Sequence, residues 1–146
     1  MDFASSARAV AARTTTANTA ANMYVAGASG AAGLIQSFGS DSLKQTYLEK
    51  LYGGEWAGTM CLTEPQAGSS LSDVKTTAVK AKDGDDYLVT GTKCFISNGD
   101  HDLTPNIVHP VLSRIEGDPP GTKGISIFIV PKFLVNPDGS LGPRND

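Results

Sequence analysis

The 146-residue sequence predicts an α+β chain in which one or two helices precede a mainly antiparallel β-barrel or β-sandwich. The composition changes at Gly53-Gly54, from Ala, Leu, Gln and Lys before it to short alternating runs of Thr, Val, Ile and Gly after it. The later runs are short and separated by turn residues, which is typical of a small barrel or sandwich. We therefore expect a helical segment at 1–53 and a β-domain at 54–146.

Two helices are predicted before the change in composition. The first covers residues 17–38, whose small side chains allow close packing against neighbours, although glycines weaken the helix. The second begins with Ser40 or Asp41 as its cap and ends at Gly53-Gly54. Its apolar face consists of Leu43, Tyr47, Leu48 and Leu51.

The β-domain is predicted to contain strands at 56–62, 75–82, 87–92, 94–97, 107–115 and 125–130. Asp83-Gly84 lies between the second and third of these strands and favours a hairpin turn with a positive φ. Pro119-Pro120 indicates an exposed loop, because proline cannot donate to a ladder. The strand at 125–130 is apolar on both faces, which predicts a central place in its sheet.

Charge and composition narrow the function classes. A net charge of -3 and the lack of clustered Lys and Arg argue against a nucleic-acid-binding protein. Cys61 and Cys94 stand without a Cys-x-x-Cys or Cys/His cluster, and the two histidines lack ligand spacing, so no metal site is expected. The interrupted Ala runs of residues 1–32 predict neither a secretory signal nor a membrane span. We expect a cytoplasmic protein with reduced thiols.

Two short segments hold the candidate functional residues. Leu62 and Thr63 end a predicted strand, and their backbone N–H groups and the Thr hydroxyl suit the polar edge of a flavin ring. The Pro- and Gly-containing loop that follows brings Ser69 to a phosphate. Phe95 offers a surface for the ring, and Ser97, two positions further along a predicted strand, points to the same side. Each segment alone is typical of an ordinary turn or core pair, whereas their combination favours a cofactor site.

Residues 54–69 (GEWAGTMCLTEPQAGS) resemble the first signature of the acyl-CoA dehydrogenase family, and residues 91–99 (GTKCFISNG) resemble its second signature at the family's spacing. The segments at 38–48 and 121–126 are also similar to that family, so the resemblance covers almost the whole chain. Residues 100–109 and 135–146 resemble its long bacterial branch, which includes 3-methylmercaptopropionyl-CoA dehydrogenase-like proteins. Phe95 stands where many members of the family have Trp.

The resemblance implies a fragment of an FAD-dependent enzyme that oxidises the α,β bond of an acyl-CoA thioester. The enzyme would pass a hydride to flavin N5 and deliver electrons to an electron-transfer flavoprotein. It also implies that 1–53 ends an N-terminal helical domain and that 54–146 is the middle β-domain of a homo-oligomeric protein. The implied flavin contacts are Met60, Leu62, Thr63, Gly68, Ser69, Phe95, Ile96 and Ser97.

The resemblance further implies that Ser69 lies near the acyl-CoA substrate as well as the flavin. The catalytic base is implied to be a carboxylate of a C-terminal helical domain that the chain lacks, so the fragment alone is expected to be inactive. Glu64 lies inside the flavin loop and is expected to brace it by hydrogen bonds rather than to act as the base.

Two alternatives remain open. A non-catalytic module that binds an acyl-CoA or a protein partner would share the fold, although the hydroxyls of Thr63, Ser69 and Ser97 favour flavin binding. An acyl-CoA oxidase, which passes electrons to oxygen, would carry the same residues, and nothing in the sequence separates it from a dehydrogenase.

Overall fold

The structure, a computed structural model, describes residues 18–145, without the side chains of residues 20 and 21. These residues form two compact units. The first unit contains the chain up to Met60, Ser97–His109 and the residues from Val130 onward. The second contains Cys61–Ile96 and Pro110–Ile129. Within residues 18–145, no helix is long and apolar enough to cross a bilayer.

Both predicted helices are present in the first unit, as α1 (Thr19–Phe38) and α2 (Asp41–Tyr52). Ser40 caps α2, because its hydroxyl accepts a hydrogen bond from the Leu43 N–H at 3.3 Å. The helix ends at Gly53, whose N–H donates to the Glu49 carbonyl at 2.8 Å. Residue 17, which the sequence analysis includes in the first helix, lies outside the described residues.

The core of the first unit lies between α1 and a short strand, β1 (Ala57–Gly58). The two backbones meet so closely that a Cβ on Gly58 would stand 2.7 Å from the Gly27 carbonyl oxygen. Only glycine fits this contact, because real Cβ atoms essentially never approach an oxygen so closely. The surrounding side chains are small or branched, and those buried here are Ala28, Ala31, Ala32 and Ile35.

The longest strand, β4 (Ile107–Ile115), begins in the first unit and ends in the second. In the first unit it runs parallel to β1, with Ala57 opposite Ile107. Asn106, which is fully buried, precedes β4, and its side-chain amide forms hydrogen bonds with backbone groups. Its Oδ1 accepts from the N–H groups of Ile107 and Phe133 at 2.9 Å each, and its Nδ2 donates to the Phe133 carbonyl at 3.0 Å. Asn106 therefore connects β4 to β6 (Phe133–Val135), which pairs with β7 (Leu141–Arg144).

The second unit contains the predicted hairpin. It consists of β2 (Thr77–Lys80) and β3 (Tyr87–Thr90), which are antiparallel with Lys80 opposite Tyr87. The turn between them has Gly84 at φ 84°, as the Asp-Gly sequence predicts. In the same unit β2 runs parallel to the end of β4, with Thr77 opposite Arg114. A further strand, β5 (Ile125–Pro131), also pairs with β4.

The sheets are mixed rather than mainly antiparallel. β1 and β2 run parallel to β4, whereas β2–β3 and β6–β7 are antiparallel. The physical reason is the length of the connections, because a tight turn joins β2 to β3 but long segments precede β2 and β4 and permit parallel pairing. Within residues 18–145 no sheet closes on itself, so the barrel or sandwich stays a prediction.

Three strand predictions differ from the structure. The strand predicted at 56–62 is reduced to the two residues of β1, with an isolated bridge at Cys61. Residues 94–97 do not form a strand, because Phe95 has φ 57° and a left-handed residue cannot continue an extended chain. The strand at 125–130 exists as β5 but is not central, since β4 is its sole partner among the described strands and most of its residues are half-buried. Most residues of β4 are buried, so β4 rather than β5 is the deeply buried strand.

Candidate functional site

The loop predicted to bind a cofactor begins after Cys61, which backbone hydrogen bonds hold against β4 in the second unit. The Cys61 N–H donates to the Pro110 carbonyl at 2.9 Å, and the Cys61 carbonyl accepts from the Leu112 N–H at 3.0 Å. The chain then leaves this bridge and turns sharply, because the backbones of Glu64 and Ala67 exchange two hydrogen bonds of 2.9 and 3.0 Å. The predicted Pro-containing bend therefore has a defined geometry.

The two segments singled out by the sequence analysis lie side by side. The Cys94 N–H donates to the Thr63 carbonyl at 2.9 Å. The adjacent Lys93 ammonium donates to the Leu62 carbonyl at 3.1 Å. These two contacts place the residues before Phe95 directly against the end of the first segment. Leu62–Ser69 and the residues up to Ile96 therefore lie together within the second unit.

Glu64 is the buried centre of this region, with 4% of its surface exposed. Its Oε1 accepts from the Lys93 ammonium at 2.8 Å and from the Thr76 N–H at 3.0 Å. Its Oε2 accepts from the Lys75 N–H at 2.8 Å and from the Gln66 amide at 2.5 Å. The carboxylate thus connects three stretches of chain, which is the bracing geometry predicted for it.

The environment of Glu64 keeps it ionised. Burial raises the pKa of its carboxyl, but the hydrogen bonds from Lys93, Thr76 and Lys75 lower it by more, to about 2 from an ordinary 4.5. A general base needs free lone pairs and a pKa near the working pH. With both oxygens occupied by donors, Glu64 has neither property.

Phe95 has two unusual properties at once. Its surface is 93% exposed, although it is a large apolar side chain, and its backbone has a positive φ of 57°. A bulky residue in the left-handed region is strained by about 1–3 kcal/mol and persists only where neighbouring contacts hold it. The Cys94 N–H bond to Thr63 supplies such a contact immediately before it. The ring is therefore held out from the protein beside the loop.

The loop beside Phe95 has open hydrogen-bonding groups. Among residues 18–145, no acceptor takes a hydrogen bond from the N–H groups of Leu62, Thr63, Gly68 or Ser69. Thr63 is half-buried, whereas Gly68 and Ser69 are exposed. Open N–H groups and hydroxyls next to an exposed aromatic ring fit a ligand with a flat ring, polar edges and phosphates, such as FAD.

The remaining predicted flavin contacts have different surroundings. Ile96 is half-buried and ends the second unit. Met60, 43% exposed, and Ser97, also exposed, belong to the first unit. Ser97 was predicted to point to the same side of a strand as Phe95, but these residues do not form a strand.

The sequence analysis missed the residues that hold this region together. Lys93 and Thr76 both contact Glu64, and neither was named as a candidate. A signal for Lys93 existed, since it lies inside the second signature, two positions before Phe95. Thr76 carried no local signal. Within residues 18–145, no group of three or more His, Cys, Asp and Glu side chains could hold a metal ion, and neither cysteine forms a disulfide.

Comparisons with known proteins found a matching family model and several similar proteins. A family model described as acyl-CoA dehydrogenase, middle domain, matches residues 59–142. The 3-methylmercaptopropionyl-CoA dehydrogenase of Ruegeria pomeroyi is 52% identical over 116 residues, which cover 80% of this chain and 20% of that protein. A butyryl-CoA dehydrogenase of Syntrophomonas wolfei is 50% identical over 117 residues, covering 80% of this chain and 19% of that protein. The chain therefore spans about a fifth of the length of these curated relatives.

Two solved structures are similar as well. One is glutaryl-coenzyme A dehydrogenase in complex with glutaryl-CoA, with a TM-score of 0.57 and 31% identity over 69% of this chain and 24% of that chain. The other is an acyl-CoA dehydrogenase from Bacillus anthracis complexed with FAD, with a TM-score of 0.54 and 35% identity over 65% of this chain and 15% of that chain.

Proposed function

Because the chain belongs to the acyl-CoA dehydrogenase middle-domain family, we propose that it is the flavin-binding part of an FAD-dependent enzyme that oxidises the α,β bond of an acyl-CoA thioester. The observation that carries the proposal is Phe95, an exposed ring with positive φ beside a loop whose N–H groups are open. Backbone strain in a bulky residue costs free energy and is concentrated at active sites and ligand-binding sites.

Each part of the loop has a proposed task. The N–H groups of Leu62 and Thr63 and the Thr63 hydroxyl bind the polar edge of the flavin ring, and the Phe95 side chain covers one face of it. Gly68 and Ser69 offer N–H groups and a hydroxyl to a phosphate. Ser69 is also proposed to approach the acyl-CoA. Met60, Ile96 and Ser97 complete the proposed flavin contacts.

FAD, when bound, supplies the hydride acceptor for the carbon β to the thioester. The residues of this chain orient the flavin ring, but removal of the α proton also needs a base. Glu64 is excluded from that task by its ion pair with Lys93 and its occupied lone pairs. We propose that a carboxylate from a helical segment beyond this chain is the base.

The wider organisation is proposed on the same grounds. Residues 1–53 would end an N-terminal helical domain, and residues 54–146 would form a middle β-domain whose sheets close into a barrel or sandwich. An electron-transfer flavoprotein would accept the electrons. We also propose a homo-oligomer that acts in the cytoplasm, where cysteines outside disulfides, such as Cys61 and Cys94, stay reduced.

The proposal is tested with the purified full-length protein and two exposed apolar side chains. Phe95→Ala removes the proposed stacking surface, and Leu88→Ala removes a side chain that is 66% exposed on β3. We expect Phe95→Ala to weaken FAD binding roughly tenfold or more, because a lost aromatic stack and its buried area exceed 1.4 kcal/mol. Leu88→Ala should leave the Kd unchanged. Quenching of FAD fluorescence measures both.

A full-length protein that stays colourless after reconstitution with FAD would refute the proposal and favour the non-catalytic binding module. If FAD binds but Phe95→Ala has no effect, the assignment of the ring surface is wrong. Oxygen consumption during turnover separates the oxidase from the dehydrogenase, since only an oxidase passes its electrons rapidly to oxygen.

A further inference from the structure

In the second unit as the structure describes it, Lys93 is the one cation that contacts both the loop at Leu62–Ser69 and the buried Glu64 that braces this loop. Its ammonium lies 3.1 Å from the Leu62 carbonyl oxygen and 2.8 Å from Glu64 Oε1. Both side chains of the ion pair are withdrawn from water, with 10% of Lys93 and 3% of Glu64 exposed. Desolvation makes such a pair a poor source of stability compared with apolar residues of similar size. Its presence therefore calls for a second role.

The contact with Leu62 has a geometric consequence. A peptide unit is planar and trans, so its C=O and the N–H of the next residue point in opposite directions. Because the Leu62 carbonyl is turned toward the buried Lys93, the Thr63 N–H of the same peptide unit must point away from it. That N–H is one of the open donors of the loop. Its direction is thus set by Lys93.

We propose that Lys93 is a positioning residue for the cofactor, acting through the Leu62–Thr63 peptide unit to aim the Thr63 N–H at the flavin. The inference rests on the proposed function and extends it to a residue that makes no cofactor contact itself. Glu64 has a different task, because its four partners in the chain hold the loop together whether or not Leu62 is oriented.

This division of tasks predicts a separation of binding from stability. Lys93→Met leaves the Leu62 carbonyl without its donor, so the peptide unit can rotate and the Thr63 N–H loses its direction. It also leaves the buried Glu64 carboxylate without its cation, and exchange at the Cys94 amide measures this structural effect separately. Lys93→Arg retains a cation with several donors in the same place. Glu64→Gln removes the charge of the brace but leaves Lys93 on the Leu62 carbonyl. Lys80→Met is the matched control, since Lys80 pairs with Asp85 on the exposed hairpin.

The experiment measures the Kd for FAD and the hydrogen exchange of the Cys94 amide in the full-length protein and each variant. The Cys94 N–H donates to Thr63 and reports whether the two segments stay together. We expect Lys93→Met to raise the Kd roughly tenfold or more, as for loss of a charged hydrogen bond, and Lys93→Arg to restore most of the affinity. Glu64→Gln should speed exchange at Cys94 with little change in Kd. Lys80→Met should change neither.

Two results would overturn the inference while the proposed function stands. In the first, the wild-type protein binds FAD and Lys93→Met binds it equally well. In the second, Lys93→Met and Glu64→Gln lose affinity in proportion to their faster Cys94 exchange, which means that Lys93 acts only through local stability. A wild-type protein that does not bind FAD removes the proposed function, and this inference with it.

Discussion

The buried carboxylate of Glu64 predicts a specific dependence of local stability on pH. Its pKa is about 2 in the folded protein against an ordinary 4.5, so ionisation favours the folded state. The linkage contributes about 3 kcal/mol near pH 7, at 1.36 kcal/mol per pKa unit. Since the folded pKa is depressed, this stability is present in full above pH 4.5 and is lost as the pH falls toward 2. About 2 kcal/mol of it should be gone by about pH 3.

The perturbation that isolates this contribution is Glu64→Gln. Glutamine has the shape of a protonated glutamate, and both place a donor against the N–H groups that Glu64 now accepts. The variant should therefore be about 3 kcal/mol less stable than the wild-type protein near pH 7 and only about 1 kcal/mol less stable near pH 3. Other titrating groups affect both proteins equally and cancel in the difference.

The assay is native-state hydrogen exchange of the Thr76 amide, which donates to Glu64 Oε1 at 3.0 Å. Rates corrected for intrinsic exchange give the free energy of opening at each pH. Glu55→Gln is the matched control, because Glu55 pairs with Lys50 on the surface and such exposed pairs contribute about 0–1 kcal/mol. A difference between wild type and Glu64→Gln that stays constant from pH 7 to pH 3 would refute the electrostatic account of the brace.

Two further predictions concern the first unit. Gly58→Ala should destabilise the protein by about 2 kcal/mol or more, because its Cβ would stand 2.7 Å from a backbone oxygen. Gly30→Ala is the control: a Cβ there would have nothing within 4 Å, so it should stabilise α1 by roughly 0.5–1 kcal/mol. Thermal unfolding measures both changes. Asn106→Leu should lower the unfolding free energy by about 2–4 kcal/mol in a urea titration, since the buried Ile107 N–H and the partly buried Phe133 N–H lose their acceptor. An unchanged midpoint would contradict the role given to Asn106.

Most of the fold followed from local rules, and the failures have a common cause. The strand at 107–115 was predicted correctly, and the helix cap was narrowed to Ser40 or Asp41, because apolar periodicity and capping chemistry are local. The strand at 94–97 was predicted from alternation but does not form, because the Cys94 N–H donates to Thr63, more than thirty residues earlier, and Phe95 takes a positive φ. Contacts so distant along the chain leave no periodic signal.

In the candidate site, too, local features could be predicted from the sequence and contacts between distant residues could not. The residue types at Leu62–Ser69 and Phe95 could be identified from the sequence, since hydroxyls, glycine and an aromatic ring suit a flavin. The ion pair between Lys93 and Glu64 could not, because pairing between distant charges depends on how the intervening chain folds. The sequence predicted that Glu64 braces the loop, but which partners it binds required the structure.

An ordinary turn explains this region poorly, for energetic reasons. A turn whose only task is to leave a strand would place an apolar ring such as Phe95 in the core and adopt an unstrained backbone. Here the ring is exposed, its φ is positive, and the supporting charges of Lys93 and Glu64 are buried. Each feature costs free energy in the isolated protein, and all three occur within one short stretch of contacts. Natural proteins break local rules together mainly at functional sites, so these three features support the flavin site that we propose for this region.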